Sequence, residues 1–345
     1  MLHLRLIVPA DLTGEVTRRI SSAVGATHLT VVKGAALDPV GDLVTADVAR
    51  EAADALLAEL RGLGVDERGS ISADPVDLSL SSSADAAEKA APGDGADAVL
   101  WESMTELSHE ESTLSVTYMA FLTLATMLAA YGVMLDSAIL VVGAMAVGPE
   151  FGPLAGFCTG LIRRQRSLVR RSSIALLVGF PAATAATGAF SALMDLFGLF
   201  NRARFDAPHP ATQFIWQPTA DSFVVALLAG VAGMLSLTSA KSGALVGVAI
   251  SVTTVPAAAD AALALSYGAW HEAFTSACQL ALNLAGIVVA GCLTLLAQKI
   301  LWARTGRDRR SPRDPAAEQS PRPEAAADPV ARALRRRGTA VRPHR

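Results

Sequence analysis

The chain has 345 residues, of which 52% are hydrophobic, and its formal net charge is −3. The mean hydropathy of +0.40 is high for a soluble protein, and several nearly uncharged runs of about twenty apolar residues lie between about 114 and 302. Each run is long enough to cross a hydrocarbon core about 30 Å thick. The composition therefore argues against a soluble globular protein and predicts an integral membrane protein. Acidic and basic residues nearly cancel, so the net charge itself says little. A membrane protein contacts membrane lipid, and we predict neither a nucleic acid partner nor a cofactor.

Residues 1–75 are predicted to form a cytoplasmic ferredoxin-like domain. Short strands and two amphipathic helices follow one another in the order βαββαβ, which is the split βαβ plan. Asp11 is expected to cap the first helix. Domains of this plan often bind small ligands or pair through sheet edges, and a structural or dimerising role is an equally good interpretation because fold does not give function. The predicted strands and helices, in chain order, are 2–8, 11–23, 27–34, 42–48, 49–63 and 65–73.

Residues 76–113 are predicted to connect this domain to the membrane. The stretch 76–98 is rich in polar and small residues, as linkers are. The stretch "VLWESMTELSHEES", residues 99–112, resembles an amphipathic helix at the membrane surface, where Trp101 would lie in the interface. His109 stands beside two glutamates, but a solvated helix face is the simpler interpretation, and no metal site is predicted.

The next part of the chain, residues 114–302, is predicted to be an all-α bundle of six membrane spans, followed by a disordered basic tail over 303–345. Five arginines lie in the nine residues 163–171, directly after the second span. The positive-inside rule places them in the cytoplasm, so that both termini are cytoplasmic and the loop 199–220 lies outside. We therefore predict a multi-pass protein of the inner (plasma) membrane. The predicted spans are 114–135, 137–162, 172–198, 221–239, 242–266 and 273–302, and the orienting arginines are Arg163, Arg164, Arg166, Arg170 and Arg171.

An internal repeat relates the second and fifth predicted spans. The stretch "SAILVVGAMAVGP" starts at Ser137 and "SGALVGVAISVTTVP" starts at Ser242, and five aligned identities share an offset of 105 residues. Each segment then reaches a proline, at Pro149 or Pro256. Because this offset divides six spans into two sets of three, the two halves would insert in opposite orientations. Inverted repeats with helices broken at the midplane are a recurrent plan of secondary transporters.

The second span contains helix-breaking residues and a carboxylate in the stretch "AMAVGPEFGPLAG", residues 144–156. Prolines lack the N–H that would pair with a carbonyl of the preceding turn, and glycines let the backbone turn and other groups approach. Irregular backbone at this depth must be buried in protein or line a wet cavity, and a charged side chain there costs on the order of 3 kcal/mol. A structural kink, or helix packing through small residues, is the alternative. The predicted site residues in this stretch are Gly148, Pro149, Glu150, Gly152 and Pro153.

Further candidates lie in the fifth and sixth predicted spans. Thr253 and Thr254 precede Pro256, where their hydroxyls could replace lost backbone hydrogen bonds or ligate an ion. Asp260 lies one turn later, and Asn283 is most simply a residue that forms an interhelical hydrogen bond. With the carboxylate of the second span, these side chains are predicted to bind a proton, an ion or a small substrate. No catalytic, phosphate-binding or nucleotide-binding motif accompanies them, so we predict that the protein is not an enzyme.

Three stretches together resemble a known membrane family. They are "WESMTELSHEESTLSVTYM", "LVVGAMAVGPEFGPLAGF" and "RRQRSLVRRSS", and the most specific part is GAM-x-x-GPE-x-GP, from Gly143 to Pro153. They resemble the bacterial and archaeal family catalogued as domain of unknown function 389, over about residues 100–240. The resemblance implies a multi-span inner-membrane protein with a cytoplasmic N-terminal part, and it implies nothing about a substrate.

The sequence as a whole favours a six-span, inverted-repeat carrier or channel-like protein with a cytoplasmic regulatory domain. Its ligand would be a small molecule or an ion, and a second copy of the chain is a further candidate partner. The alternative is a non-transporting membrane sensor or scaffold that acts through the ferredoxin-like domain. A polar cavity between the second and fifth spans at the midplane would favour the first hypothesis over the second.

Overall fold

A computed structural model describes residues 1–76, 78–91, 101–212, 219–238 and 254–308 of the chain. The first part is a four-stranded antiparallel sheet with helices, and the part from residue 101 onward is helical. The elements of the first part are β1 (Leu2–Val8), α1 (Thr13–Ser22), β2 (Ala26–Leu37), β3 (Val40–Val48), α2 (Arg50–Gly62), α3 (Val65–Arg68), β4 (Ser70–Pro75) and α4 (Ser82–Ala90).

The sheet has the strand order β2-β3-β1-β4, and every neighbouring pair is antiparallel. This order agrees with the predicted split βαβ plan, in which α1 and α2 each connect two strands that are not neighbours. The core follows from the alternation along β1, where Leu4 and Leu6 are fully buried and pack with Ile20 of α1 and Leu60 of α2. Full burial of such a side chain contributes about 1.5–3 kcal/mol, so this one face largely stabilises the domain.

Two details of the predicted domain are wrong. Residues 65–68 form the short helix α3 rather than the start of the fourth strand, because Gly64 adopts a left-handed conformation (φ 75°) that ends α2 and turns the chain. Asp11 does not cap α1, since Leu12 is at the N-cap position. The Asp11 carboxylate instead accepts two hydrogen bonds from the Arg68 guanidinium, with N–O distances of 3.0 Å and 3.0 Å.

The predicted linker 76–98 contains a helix that packs on the sheet domain. The Ser81 hydroxyl caps α4 by accepting from the Ala84 amide, and the side chains of Ala84 and Ala87 are buried. Directly after the helix, Ala91 lies close to Gly25, between α1 and β2. The compact unit therefore extends to residue 91, and the rest of the predicted linker, 92–98, lies outside the described residues.

Among the described residues, the helical part of the chain contains four helices that are long and apolar enough to cross a membrane, or five spans if the bent pair α7–α8 counts as one. They correspond to the first, second, third, fourth and sixth predicted spans. The fifth, 242–266, is described only from residue 254. The helices are α5 (Trp101–Glu111), α6 (Val116–Met134), α7 (Ala138–Val147), α8 (Phe151–Arg163), α9 (Arg166–Leu196), α10 (Arg202–Phe205), α11 (Ala220–Thr238), α12 (Val255–Ser266) and α13 (Trp270–Asp308).

The outer faces of these helices are strongly apolar. Ile139 is 87% exposed, Leu177 75% and Leu228 65%, each on a different helix. Large apolar side chains in such numbers on a protein surface indicate a surface that is covered, and for helices of this length and composition the cover is lipid. Their inner faces contact one another through small residues: a Cβ added at Gly230 of α11 would lie 2.6 Å from the Ile287 carbonyl oxygen of α13.

The helix α5 packs along α8 through small and polar residues. The Ser112 hydroxyl, directly after α5, donates to the Gly152 carbonyl (O–O 3.4 Å) and accepts from Ser172 of α9 (O–O 3.1 Å). Gly156 of α8 lies at the same junction, where a Cβ would collide with the Ser112 hydroxyl. Small residues with short polar side chains allow this close approach inside a membrane bundle. The predicted surface helix is thus packed against the second half of the broken span.

The predicted arginine loop 163–171 is mostly helical. Only Arg164 and Gln165 separate α8 from α9, and Arg164 makes the turn with a left-handed backbone (φ 58°). Arg163 is the last residue of α8 and Arg166 the first residue of α9, and Arg170 and Arg171 lie within α9. The five arginines nevertheless remain together at one end of the bundle.

Candidate functional site at the broken spans

The predicted break in the second span is present in the structure. The helices α7 and α8 meet at an angle of 54° across residues 148–150. Gly148 ends α7 with an extended backbone (φ −65°, ψ 127°), and Pro149 follows it within the break. Pro153 lies in the first turn of α8, where an N–H would have had no partner within the helix. Pro153 therefore helps to start α8, and it does not interrupt a continuous helix as its residue type predicts.

Gly152 provides the close approach that its residue type predicts. A Cβ at this position would lie 2.5 Å from Glu111 Cβ and 2.9 Å from Glu111 Oε2. The end of α5 therefore touches the first turn of α8. Any larger residue at position 152 would separate the two helices.

Glu150 and Thr254 connect the second and fifth predicted spans directly. Thr254 Oγ1 donates a hydrogen bond to Glu150 Oε1 at 2.9 Å, and both residues are fully buried. Glu150 is at the N-cap position of α8 and Thr254 at the N-cap position of α12, yet neither side chain caps its own helix. The two N-cap residues bond to each other instead. The N-terminal ends of two half-helices from the second and fifth predicted spans thus meet at one point.

The first turn of α12 resembles that of α8. Pro256 is in the first turn of its helix, as Pro153 is in α8. The residues around it are completely buried, including Val255 and Ala257. Thr253 lies outside the described residues, as does most of the repeat segment that begins at Ser242.

Asp260 and Asn283 are buried near this junction. Asp260 of α12 accepts a hydrogen bond from Ser276 of α13 (O–O 2.6 Å), and a three-residue turn, 267–269, joins these helices. Thr254 lies six residues before Asp260, about 9 Å along α12, and Asn283 lies seven residues after Ser276, about 10 Å along α13. Because the two helices run in opposite directions, Asn283 and Thr254 lie at a similar depth.

A second set of contacts places Asn283 at the level of the break. The residues that flank it, Leu284 and Ile287, pack in one cluster with Phe151 and Leu154 of α8. The Asn283 side chain is fully buried and accepts a hydrogen bond from Gln279 of its own helix (N–O 3.3 Å). The structure thus brings Glu150, Thr254 and Asn283 to a similar depth, and it places Asp260 about 9 Å further along α12.

An open cleft leads to the break from the end of α5. It has a volume of about 360 Å³, and Pro149, Phe151 and Gly152 form part of its wall. Glu110 and Glu111 line the opposite part with polar residues of the α5–α6 connection, among them Thr113 and Ser115. The cleft has two acidic side chains and no basic one among its lining residues. Its electrostatic character therefore favours cations over anions.

The family model described as "Domain of unknown function (DUF389)" matches residues 145–289. We call residues 145–289 the DUF389 segment. The match supports the resemblance of this segment to the family. The DUF389 segment contains both partners of the Glu150–Thr254 hydrogen bond. No curated protein and no solved structure matches the chain.

Two polar residues of the DUF389 segment were missed by the sequence analysis. Ser276 and Gln279 of α13 are buried, at 0% and 2% exposure, and Ser276 holds the carboxylate of Asp260. Their signal is a helical spacing of polar residues within an apolar run, since Ser276, Gln279 and Asn283 follow one another at intervals of three and four. The sequence analysis missed this spacing because a search for long apolar runs averages over the polar residues within them.

Another polar cluster lies in the sheet domain, outside the DUF389 segment. Asp47 Oδ1 is 2.7 Å from His3 Nδ1, and Asp47 Oδ2 is 2.7 Å from His28 Nδ1. His28 Nε2 is 2.9 Å from the Ser81 hydroxyl and 2.8 Å from the Ser83 hydroxyl, which fixes α4 to the sheet. Burial alone would raise the pKa of Asp47, but the hydrogen bonds from His28 and His3 lower it below its usual value. Ser83 is exposed and Ser81 caps α4, so we interpret this cluster as the contact that docks α4 on the sheet.

Proposed function

We propose that the protein is a carrier or channel-like transporter of a small solute or ion, with its binding site where the two broken spans meet. Secondary transporters of the inverted-repeat plan place their sites near the midplane, at discontinuous helices. The pair formed by α7 and α8 fits this description, and α12 begins at the same point. The sheet domain would then regulate access from the cytoplasm.

The observation that carries this proposal is the hydrogen bond from Thr254 to Glu150. Residues 104 positions apart, both fully buried, place a carboxylate and a hydroxyl at the junction of two half-helices. A carboxylate at membrane depth is costly, and such residues usually face a cavity or a substrate path. A purely structural kink would need the prolines and glycines but not the carboxylate.

The arrangement of α8 and α12 supports the proposed inverted repeat. Both helices start at the junction, and both have a proline in the first turn. With the sequence offset of 105 residues, this is the pairing expected for two inverted halves of three spans each. Six spans in all would follow, the fifth being completed by residues before 254.

We further propose an inner-membrane location with both termini in the cytoplasm. The five clustered arginines at the α8–α9 turn favour this orientation. Reporter fusions after residues 98 and 210 provide the check. Cytoplasmic activity is expected at 98 and periplasmic activity at 210, and the reverse pattern would contradict the orientation.

The transport proposal is tested by Glu150→Gln, which keeps the size of the side chain and removes its charge. Ligands are first sought by thermal shift of the purified full chain with alkali-metal salts, organic acids and amino acids, since a ligand stabilises only a protein that binds it. For any organic acid or amino acid that stabilises the wild type, the variant should lose at least tenfold in affinity and in uptake into proteoliposomes. Its own unfolding temperature should be unchanged or higher, because an amide is less costly to bury than a carboxylate.

The matched control is Glu106→Gln on the exposed face of α5. It should retain the wild-type shift and uptake, because its side chain faces away from the packed helices. Full uptake by the Glu150→Gln variant would show that the carboxylate has no role in transport. Strong destabilisation of that variant would show that Glu150 is structural.

The alternative is a membrane sensor or scaffold that acts through the sheet domain. One observation favours it: β2 is an edge strand of the sheet, twelve residues long, and Val32 and Leu37 on it are 47% and 86% exposed. An exposed, apolar edge is suited to pairing with a second copy of the chain. Loss of self-association on Val32→Lys substitution, with no uptake of any tested compound by the wild type, would favour this function.

A further inference from the structure

A second polar site lies between α12 and α13, away from the Glu150–Thr254 contact. Asp260, Ser276, Gln279 and Asn283 are each no more than 2% exposed. The last three lie on one face of α13, and Ser276 places Asp260 of α12 against that face. Asp260 is about 9 Å along α12 from Thr254, so the two carboxylates belong to separate places in the bundle.

The oxygen atoms of this site are incompletely paired within the protein. Asp260 Oδ2 accepts from Ser276, and Gln279 uses its Nε2 to donate to Asn283. Gln279 Oε1 is buried and has no hydrogen-bond partner among the described residues. A buried acceptor in this state costs free energy, so it calls for a donor or a cation.

The charge of the site also calls for a positive partner. No lysine or arginine is buried among the residues that the structure describes. The carboxylate of Asp260 therefore has no buried cationic side chain to balance it, and an isolated buried charge is unstable without a counter-charge. Carboxylate, hydroxyl and amide oxygens are hard ligands, which suit alkali cations better than transition metals.

The number of charges favours a monovalent ion. Calcium sites use six to eight oxygens and several carboxylates, whereas a single buried carboxylate balances a single positive charge. In agreement, the described residues contain no group of three or more histidine, cysteine, aspartate or glutamate side chains that could hold a metal ion.

An open cleft lies one helical turn from this site. Glu272 lies one turn before Ser276 on the same face of α13, and it lines this cleft of about 400 Å³. Asp206 and His209 line the same cleft, and Asp206 pairs with Arg202 (N–O 3.4 Å). The Glu272 carboxylate at the mouth of the cleft raises the local concentration of cations. From Glu272, one helical turn of about 6 Å leads to Ser276.

From these contacts we infer that Asp260, Ser276 and Gln279 bind a partly dehydrated monovalent cation, and that Asn283 positions the Gln279 amide. The cation enters from the cleft at Glu272 and is held by oxygen atoms of α12 and α13. Its use as a coupling ion rests on the proposed transport function, but its binding does not. The site therefore deepens the proposal by assigning a cation to a place separate from the substrate junction.

The test is thermal unfolding of the purified full chain at constant ionic strength, with choline chloride replaced stepwise by sodium chloride or potassium chloride. The unfolding temperature should rise with the concentration of at least one of the two ions, as expected for a ligand that binds only the folded state. Asp260→Asn should weaken the apparent affinity at least tenfold, and Gln279→Leu should weaken it to a smaller extent. Equilibrium binding of radioactive sodium or potassium ions to the same preparations gives an independent readout.

Two variants serve as controls. Asp221→Asn changes an exposed aspartate at the start of α11 and should leave the cation effect intact. Glu150→Gln should also leave it intact, which separates a failure of this site from a failure of the transport proposal. If Asp260→Asn does not fold, Ser276→Ala replaces it, because that change removes the hydroxyl that positions the carboxylate.

The proposal is overturned if neither ion stabilises the wild type relative to choline and neither binds directly. It is also overturned if the Asp260 and Ser276 variants bind as the wild type does, since the cation would then lie elsewhere. Loss of cation binding in the Asp221 control would point to a non-specific effect of surface charge and would equally reject the site.

Discussion

Replacing Thr254 by valine removes one hydroxyl and nearly preserves the shape of the side chain. The hydroxyl donates to Glu150 Oε1 at 2.9 Å, with both residues fully buried. Interhelical hydrogen bonds in membrane proteins contribute about 0.6 kcal/mol on average and up to about 1.7 kcal/mol. A carboxylate acceptor strengthens such a bond, so the upper part of this range applies. We expect a coupling free energy of about 1–1.7 kcal/mol between the two side chains.

The coupling is measured by a double-mutant cycle with Thr254→Val and Glu150→Met. The free energy of unfolding of the four proteins is obtained in mixed micelles as the fraction of denaturing detergent increases. Thr254→Val should destabilise the protein when position 150 is glutamate, and it should cost less when position 150 is methionine. Independent sites add to within about 0.3–0.5 kcal/mol. A coupling below that limit would refute the conclusion that this hydrogen bond joins the two broken spans.

Two further predictions concern the sheet domain. A fragment of residues 1–91 should fold alone and be more stable to urea than residues 1–75, because Ala84, Ala87 and Ala91 are buried when α4 packs on the sheet. The gain should not exceed about 2 kcal/mol, since each buried methyl group contributes about 0.8 kcal/mol and ordering the added residues opposes it. Equal stability would show that α4 does not pack on the sheet. The lowered pKa of Asp47 implies a contribution to stability that is present above the usual aspartate pKa of about 3.9 and is lost as the pH falls through the lowered folded value. Asp47→Asn should therefore flatten the pH dependence of fragment stability in this acid range. An unchanged pH profile would show that the hydrogen bonds of Asp47 do not stabilise the domain.

The sheet domain could be predicted because its signals are local. The alternation along β1 and the apolar faces of α1 and α2 specify which residues are buried, and the observed order agrees with that expectation. The errors arose where a tertiary contact decides. Asp11 bonds to Arg68, which lies 57 residues further along the chain, and no local sequence pattern predicts this contact.

The error over residues 76–98, which the sequence analysis interprets as a linker, had a different cause. Composition alone does not separate a flexible linker from a short helix rich in alanine. The available signal was Ser81, a good N-cap residue placed before a run of helix-forming residues. The packing of this helix on the sheet required the structure, because single alanine residues give little periodicity.

In the membrane part, the break in the second span could be predicted from the sequence, but its contact with the fifth span could be predicted only in part. Proline and glycine act on the backbone of their own segment, so the bend between α7 and α8 follows from the sequence. The contact between Glu150 and Thr254 depends on where two distant spans lie in the bundle. The repeat offset supplied a hint of this pairing, but it could not specify which of the two threonines donates to the carboxylate.

The two buried carboxylates differ in how the fold compensates for their charge. Glu150 lies at the N-terminus of α8, where the helix dipole contributes about 0.3–1 kcal/mol and up to about 2 kcal/mol, and it accepts a hydrogen bond from Thr254. Together these contributions approach the cost of about 3 kcal/mol for a charge at membrane depth. Asp260 lies beyond the first turn of α12, where the dipole has faded, and among the described residues Ser276 is its one hydrogen-bond donor. The groups around Glu150 therefore offset much of the cost of burying its carboxylate, whereas Asp260 has less compensation among the described residues. This difference is why we assign the cation to Asp260 and leave the junction at Glu150 to the transported ligand.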